Sequence, residues 1–309
     1  MRAGRRHLGL ALMLAAMAAA PSAAQPARNA ASVPDFSGVW AHPWLPGFES
    51  LRTGPTSLVN LSKGPNGASN PLQLVGDYHN PILKPDAAAT VKKFGDMSKS
   101  HFGFHNPRNQ CWPNGVPFVL SSNGMEMFQS PSHITMIYFM DHQMRQIRMN
   151  AQHPAKVTPS WYGDSVAHYE GDTLVIDTVG IKAGPFAMID WFGTPYSPAL
   201  HVIERYRLLD YQQAKEGLDR AYKDNSFPPA PASTALDVDY RGKYLQLYFT
   251  VEDPNTFTTP WSATVTFGRP RAPISAGLTD WVENVCGENP YKYGTEEDVQ
   301  LPTAKQPDF

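Results

Sequence analysis

The chain has 309 residues, with 26 basic and 28 acidic side chains and a net charge of −2. Proteins that bind nucleic acid or anionic lipid surfaces present strongly basic faces, so this balance argues against both kinds of partner. The 29 prolines favour short strands joined by loops over a helical fold.

Residues 1–24 have the pattern of a secretory signal peptide. Three arginines precede an apolar run over residues 8–20, and small residues follow it. The run is too short for a comfortable membrane span. We therefore expect cleavage near residue 24 and export to the periplasm, with acidic side chains in excess in the mature chain.

The rest of the chain divides by composition into a leader, one domain and a tail. Residues 25–34 predict a flexible leader, residues 35–292 a single β-rich domain, and residues 293–309 a C-terminal tail. The first part of the domain is rich in Pro, Gly, Asn and Ser and therefore in loops. It contains one helix candidate, Lys84–Ser100, with Asp86 as its N-cap.

Seven later runs are rich in β-branched and aromatic residues and are bounded by turn residues, which predicts strands. They are His133–Met140, Met144–Asn150, Asp172–Val179, Leu200–Leu209, Thr234–Tyr240, Lys243–Glu252 and Trp261–Phe267. Consecutive strands usually pair, so we expect an all-β fold with minor α content, an antiparallel meander that forms a lipocalin-like barrel or a sandwich. A barrel of about eight strands holds one small ligand.

The chain has two cysteines, Cys111 and Cys286. In an oxidising compartment an even count permits one disulfide between them. Two buried thiols are the alternative, and a catalytic thiol is a third reading.

Alternation along the strand Leu200–Leu209 places His201 and Arg205 on one face and Glu204 on the other. His201 is a candidate acid or base. Arg205 either pairs with a carboxylate of a neighbouring strand or anchors a substrate carboxylate, since arginine binds carboxylates through two hydrogen bonds. His133 opens its strand and is either a strand-end residue or part of a binding site.

The stretch "WYGDSVAHYEGDTLVIDT" covers residues 161–178. Asp164 and His168 are four residues apart in what we interpret as an irregular lead-in to a strand, beside Trp161 and Tyr169. A carboxylate next to an imidazole fixes its tautomer and raises its basicity, an arrangement typical of general acid–base catalysis. We therefore predict that Asp164 and His168 form a catalytic pair with the aromatic residues around it.

Two neighbouring acids have a simpler interpretation. Glu170 and Asp172 flank a turn glycine and are expected to face solvent or cap the turn. His153 lies in a Pro-flanked loop, where it is either structural or folds over the mouth of the barrel as a fourth candidate catalytic residue. Tyr138, at the end of a predicted strand, is a candidate for packing against an aromatic substrate.

Motifs for metals and cofactors are missing from the sequence. The pair His101 and His105 would need a helix to converge, and the nearby Gly103 and Pro107 argue against one. There is no HExxH, no CxxC, no GxSxG and no glycine-rich nucleotide fingerprint. We predict no metal and no cofactor.

Several segments occur in an order that resembles a large family of exported, mostly uncharacterised bacterial proteins. They are DFSGVW, CWPNGVP, RQIRMNAQHP, WYGDSVAHYEGDTLVIDT, ALHVIERYR, VEDPNTFTTPW and VCGENP. The usual family form has W-x-G-x-S, then E-G-D-T-L-V-[VI]-D-T, then L-H-x-x-E-R. The resemblance covers most of the mature chain and implies an all-β fold without implying an activity.

The departures from the family pattern fall on polar positions. Asp164 stands where the family usually has His, and His168 where it usually has Arg. The usual Arg before x-H-P is missing, with Gln152 directly before His153, and Phe139 follows Tyr138 where a Glu is common. Such changes suggest a pocket retuned for one substrate.

Two functions follow as alternatives. The first is a cofactor-independent lyase, of the decarboxylase or isomerase type, that acts by acid–base chemistry on a small aromatic or phenolic carboxylic acid, for which lignin-derived compounds are candidates. The second is a periplasmic carrier that binds a small apolar or aromatic ligand and releases it unchanged. A metal-free hydrolase ranks last because no nucleophile is evident.

Overall fold

The structure is a computed structural model that describes residues 33–271 except 43, 65–66, 101–105, 122–123, 140–142, 225–235 and 238. The predicted signal peptide, the predicted tail and Cys286 lie outside the described residues. So do the two histidines of the HFGFH segment, His101 and His105.

Strands dominate the described part of the chain, which confirms the all-β class with minor α content. The strands are β1 (Gly38–Ala41), β2 (Glu49–Ser50), β3 (Gly124–Gln129), β4 (His133–Tyr138), β5 (Met144–Met149), β6 (Asp164–Glu170), β7 (Thr173–Val179), β8 (His201–Leu209), β9 (Tyr244–Glu252) and β10 (Trp261–Phe267). The helices are α1 (Pro85–Ser100) and α2 (Tyr211–Asp224), and short 3₁₀ turns cover Arg108–Gln110 and Phe118–Ser121.

All ten strands form one curled, barrel-like sheet in the order β1-β3-β4-β5-β6-β7-β8-β9-β10-β2. From β3 to β10 the strands follow one another as the predicted meander, and every pair is antiparallel except β5 and β6, which run parallel. A parallel pair needs a connection that returns to the starting end of the sheet. The segment 150–163 makes this return, and it carries His153.

The curl brings the two ends of the sheet together. Ala41, the last residue of β1, forms an antiparallel bridge with Gly268, which directly follows β10. The two residues exchange backbone hydrogen bonds of 2.9 and 2.8 Å. The edge of β1 is thereby paired where the chain leaves β10.

The inner face of the sheet is a packed core. Along β9, Leu245, Leu247, Phe249 and Val251 are all fully buried, as the period of two predicts. Large buried side chains from other strands fill the same space. They include Trp40, Met125, Met136, Tyr138, Ile147, Ile176 and Tyr206. Side chains therefore fill the interior. A lipocalin-like barrel, one of the two architectures expected from the sequence, would instead hold a ligand there.

Helix α1 agrees closely with the predicted helix, although its start differs. It begins at Pro85, a residue suited to the first helical position, so Asp86 lies in the first turn instead of capping it. There the negative carboxylate interacts favourably with the positive end of the helix dipole. Ala87 and Val91 are buried on one side of the helix.

Helix α2 was not predicted from the sequence. Its residues Ala214, Leu218 and Ala221 recur at helical spacing and pack with Leu209 and Tyr244 in a small second core. Among the described residues, no helix is both long and apolar enough to cross a membrane.

The predicted strand Thr234–Tyr240 is only partly within the described residues. There it contributes a single bridge, between Leu236 and Pro270, and no strand. Strands β3 and β6 were not expected. The segment that we interpreted as an irregular lead-in, Asp164–Glu170, is a regular strand paired along its whole length with β7.

Candidate functional site

The return segment between β5 and β6 runs over the outer face of the sheet. Its end is fixed by a bridge between Ser160 and Ile181. Gly180 has a φ of +66°, and a Cβ built on it would lie 2.2 Å from Val157 Cγ1. Glycine thus lets the segment approach β7 closely, which places His153 over the strands.

His153 meets Asp164, and Asp164 is held by Arg148. The His153 Nδ1 lies 2.6 Å from Asp164 Oδ1. Arg148 donates two hydrogen bonds to the same carboxylate, of 2.8 and 2.9 Å. The Arg148 hydrogen bonds, followed by the contact with His153, lower the pKa of Asp164 in spite of its partial burial. Asp164 is therefore ionised and oriented toward His153.

A second carboxylate joins His153 to His201. Asp177 Oδ1 lies 3.3 Å from His153 Nε2 and 2.8 Å from His201 Nε2, so two imidazoles converge on one oxygen atom. The other ring nitrogen of His201, Nδ1, lies 3.4 Å from Glu252 Oε2.

The six residues of this network are called the outer histidine cluster. They are Arg148, His153, Asp164, Asp177, His201 and Glu252. The side chains of His153 and His201 are 22% and 28% exposed, so solvent or a small molecule reaches both rings. The cluster can hold a proton at two imidazoles and pass it through a shared carboxylate.

His168 lies elsewhere on the same face. Four residues of strand span about 13 Å, so the predicted contact between Asp164 and His168 does not form. His168 Nε2 instead lies 3.1 Å from Glu170 Oε1, and Arg205 donates a 2.6 Å hydrogen bond to Glu170 Oε2. The ion-pair alternative for Arg205 therefore describes its contact in the structure, and Glu170 binds two side chains of the sheet instead of capping the turn alone.

The predicted aromatic residues divide between the surface and the core. Trp161 is half-buried, packs 4.9 Å from the Trp112 ring and lies under the Lys182 ammonium at 4.9 Å. Tyr138 is buried on the inner face and stacks on Tyr162 with ring centroids 5.8 Å apart.

Among the described residues, neither Tyr169 nor His133 has a hydrogen bond to the cluster, although His133 lies directly opposite Arg148 in the pairing of β4 with β5. Tyr169 stacks on Phe36 with ring centroids 6.5 Å apart. His133 is exposed at the first position of β4, and its Nδ1 lies 3.0 Å from Ser132 Oγ. This is the position expected for a strand-end residue.

A second charged network lies inside the sheet, and sequence reasoning did not connect its members. Arg145 and Glu204 are fully buried and form two hydrogen bonds of 2.7 and 3.0 Å. Ser165 and Thr178 accept further hydrogen bonds from Arg145, and Tyr206 donates one of 2.9 Å to Glu204. Burial works to lower the pKa of Arg145, but the negative charge of Glu204, its hydrogen bond to Arg145 and the nearby Tyr138 and Tyr206 together outweigh burial and raise that pKa. The sequence did contain an indication of this buried pair, since Arg145 and Glu204 each lie on an otherwise apolar strand face.

Arg148, Asp177 and Glu252 of the outer histidine cluster were also missed. Had Asp164–Glu170 been recognised as a strand, the turn at Gly171 would have paired it with β7 and placed Asp164 and Asp177 on one face. Arg148 lies on β5, which pairs in parallel with β6. No tight turn joins these two strands, so the sequence does not indicate their register.

Cys111 takes part in a disulfide. The predicted partner, Cys286, lies outside the described residues, so the pairing stays a prediction. Within the part of the chain that the structure describes, no group of three or more His, Cys, Asp and Glu side chains has a geometry that would hold a metal ion.

No protein-family model matches the chain, and no curated protein or solved structure matches it either. The resemblance to the exported family therefore stays a prediction. The site has to be interpreted from its own geometry.

Proposed function

We propose that the outer histidine cluster is the active site of an enzyme that works by general acid–base catalysis. The observation that carries this proposal is the convergence of His153 and His201 on one oxygen of Asp177. Structural ion pairs rarely need two imidazoles, whereas proton transfer to and from a substrate uses groups that titrate near neutral pH. Both rings are also partly open to solvent.

The neighbouring carboxylates define the roles of the two rings. His153 donates its Nδ1–H to Asp164, and its Nε2 lies 3.3 Å from Asp177 Oδ1, a contact that is a hydrogen bond only while Nε2 also carries a proton. In the proposed mechanism Nε2 passes this proton on through Asp177 and then accepts one from the substrate as the general base. His201 in its protonated form donates one N–H to Asp177 and the other toward Glu252, and it acts as the general acid. Arg148 is a positioning residue because it acts through Asp164.

The reaction class that we propose is that of a lyase, of the decarboxylase or isomerase type, on a small aromatic or phenolic carboxylic acid. In a decarboxylation the acid delivers a proton to carbon, the bond to the carboxylate breaks, and carbon dioxide leaves. The imidazole of His201 then regains its proton from solvent. This balance requires no redox equivalent. Trp161 places an aromatic ring beside the Lys182 ammonium. That Trp161 packs against the substrate and that Arg205 anchors its carboxylate stay predictions.

The carrier is the weaker alternative. A lipocalin-like carrier holds its ligand inside the barrel, and in this protein buried side chains occupy the inner faces of the described strands. Calorimetry with recovery of intact ligand separates the two functions, since a carrier binds without chemical change.

The test begins with a panel of phenolic carboxylic acids incubated with the full chain and analysed by mass spectrometry, with and without EDTA. We expect loss of carbon dioxide or rearrangement of one class of compound. Replacing His153 or His201 by Asn should lower turnover by about a hundredfold to ten-thousandfold.

His168→Asn is the matched control, because it removes a histidine from the same face away from the cluster. We expect its turnover to stay within a few-fold of wild type. Loss of turnover in His168→Asn together with full turnover in His153→Asn would overturn the assignment. Turnover abolished by EDTA would show that a metal takes part.

A further inference from the structure

A cavity of about 260 Å³ lies between β2, the segment that follows it and α2. It shares no residue with the outer histidine cluster. Its lining residues include Leu45, Phe48, Glu49, Leu58, Asn60, Lys63, Phe192 and Arg220.

The floor of the cavity is apolar and fixed. Leu45, Phe48, Leu58 and Phe192 are each less than 8% exposed. The Phe48 ring also packs edge-on against Phe249, with ring centroids 4.7 Å apart. A flat apolar group that bound there would therefore be buried against side chains whose positions are already fixed by packing.

The single acid of the cavity, Glu49, already has its hydrogen-bond partners. Its Oε1 accepts from the backbone N–H of Thr266 at 2.8 Å, and its Oε2 accepts from the hydroxyls of Thr266 and Thr264 at 3.0 and 3.3 Å. Burial raises the pKa of Glu49, and these hydrogen bonds counteract part of that effect. Glycine at position 217 lets α2 approach, since a Cβ there would lie 3.0 Å from Glu49 Oε2. Glu49 thus has little capacity left for a cationic ligand.

The cations of the cavity, in contrast, have unused donors. Arg220 donates from Nη1 to Glu216 at 2.9 Å, and its charge also lowers the pKa of Glu49, but its Nε is buried without a hydrogen-bond partner among the described residues. Lys63 is exposed and forms no ion pair with any residue that the structure describes. An unpaired buried N–H of a guanidinium group is costly. An anion in the cavity would interact with the Arg220 guanidinium and with the exposed Lys63 ammonium.

We infer that this cavity is a second ligand site, which binds a small molecule with an anionic group and an apolar body. The carboxylate of such a ligand meets Arg220 and Lys63, and its hydrocarbon part covers Phe48, Leu58 and Phe192. Small aromatic carboxylates fit this description. The inference does not depend on the activity proposed for the outer histidine cluster.

The experiment is calorimetric titration of the full chain with hydrocinnamate, with hydrocinnamyl alcohol and with the corresponding amine. These probes share one apolar body and differ in charge. We expect hydrocinnamate to bind at least about tenfold more tightly than the alcohol or the amine, which corresponds to one charge-assisted hydrogen bond. Equal affinities, or tighter binding of the amine, would overturn the inference.

Variants locate the binding. Arg220→Gln and Lys63→Gln should each weaken hydrocinnamate binding by about tenfold. Arg207→Gln removes the same charge outside the cavity and should leave binding unchanged.

Thermal melting checks that each variant folds. Lys63 lies on the surface, so Lys63→Gln provides the result even where Arg220→Gln disturbs α2. Wild-type affinity in Lys63→Gln and in a folded Arg220→Gln would contradict the inference. Weaker binding in His153→Asn with no effect in the cavity variants would place the ligand at the outer cluster and would contradict it as well.

Discussion

Two charged networks lie on opposite faces of the same strands. Inside, Arg145 of β5 pairs with Glu204 of β8, and both side chains are at most 1% exposed. Outside, Arg148 of β5 pairs with Asp164 of β6, and these side chains are 40% and 16% exposed. The inner network also includes Ser165, the residue next to Asp164. Adjacent residues of one strand thus serve two unrelated environments.

The two networks differ in whether their charged groups remain available to solvent and to a substrate. In the inner network the charges satisfy one another in the core, so it has no route for exchanging a proton with a substrate. In the outer network two imidazoles reach solvent and share one carboxylate oxygen. Burial therefore assigns the inner network to stability and leaves the outer one available for chemistry.

The sharpest test of this comparison removes the inner carboxylate. Glu204→Gln leaves the Arg145 charge buried without its counter-charge and should lower the free energy of unfolding by about 3–5 kcal/mol. Urea denaturation measures it. Glu252→Gln, at an exposed acid of the outer cluster, should cost about 1 kcal/mol or less. Equal losses in the two variants would contradict the assignment of the inner network to stability.

A buried acid without a cationic partner should show the cost of interior charge directly. Asp190 is 1% exposed, accepts hydrogen bonds from Thr194 and from the Phe192 N–H, and has its pKa raised to about 6 by burial. The folded state then binds the proton more tightly than the unfolded chain. Stability should therefore fall as the pH rises from about 4 to about 6, by up to about 3 kcal/mol.

Asp190→Asn isolates this contribution. Denaturation midpoints between pH 4 and 7 should decline less steeply in the variant than in wild type, as the neutral amide has no proton to lose. Parallel profiles for the two proteins would show that Asp190 ionises in the folded state without penalty.

Two glycines test how firmly the return segment lies on β7. Gly171 and Gly180 have nearly equal φ angles of +65° and +66°, but a Cβ at Gly171 meets nothing within 4 Å. Gly171→Ala should cost only the left-handed strain, about 1 kcal/mol. Gly180→Ala adds the collision with Val157 and should cost about 2 kcal/mol in total. Because the segment carries His153, turnover should fall in Gly180→Ala and not in Gly171→Ala.

The smallest effect is expected for the outer ion pair. A depressed folded-state pKa of Asp164 contributes stability above the unfolded pKa, and this contribution disappears as the pH falls through the folded pKa. Arg148→Gln should thus cost about 1 kcal/mol at neutral pH and nothing in strong acid. Arg207→Gln, whose partner Asp172 lies 3.8 Å away on the surface, should show neither effect.

Strands rich in β-branched and aromatic residues were predictable, and strands of small or mixed residues were not. β4, β5, β7, β8, β9 and β10 begin and end close to the predicted positions, because their composition is typical of strands and turn residues bound them. In β6 the inward residues are Ser165, Ala167 and Tyr169, which are small or amphipathic, so the pattern resembles a loop. In α2 the apolar spacing of Ala214, Leu218 and Ala221 was readable, and Gly217 within the helix obscured it.

The site was predictable in its residue types more than in its contacts. His153, Asp164 and His201 were candidates from the sequence, and the structure connects all three through Asp177. Their contact depends on the parallel pairing of β5 and β6 and on the path of the connection between them. No local pattern encodes either, so Asp164 was matched with His168, its nearest histidine in the sequence.

The bridge between Ala41 and Gly268 joins residues more than two hundred positions apart in the chain. Such a distant contact forms late, because closing a long loop costs entropy before any contact compensates for it. Until this contact forms, β1 presents unpaired backbone groups along the edge opposite β3, and exposed strand edges are the usual origin of edge-to-edge aggregation. The bridge at Gly268 thus protects an edge of the sheet, and we expect chains that end before residue 268 to aggregate more readily than the full chain, as light scattering would show.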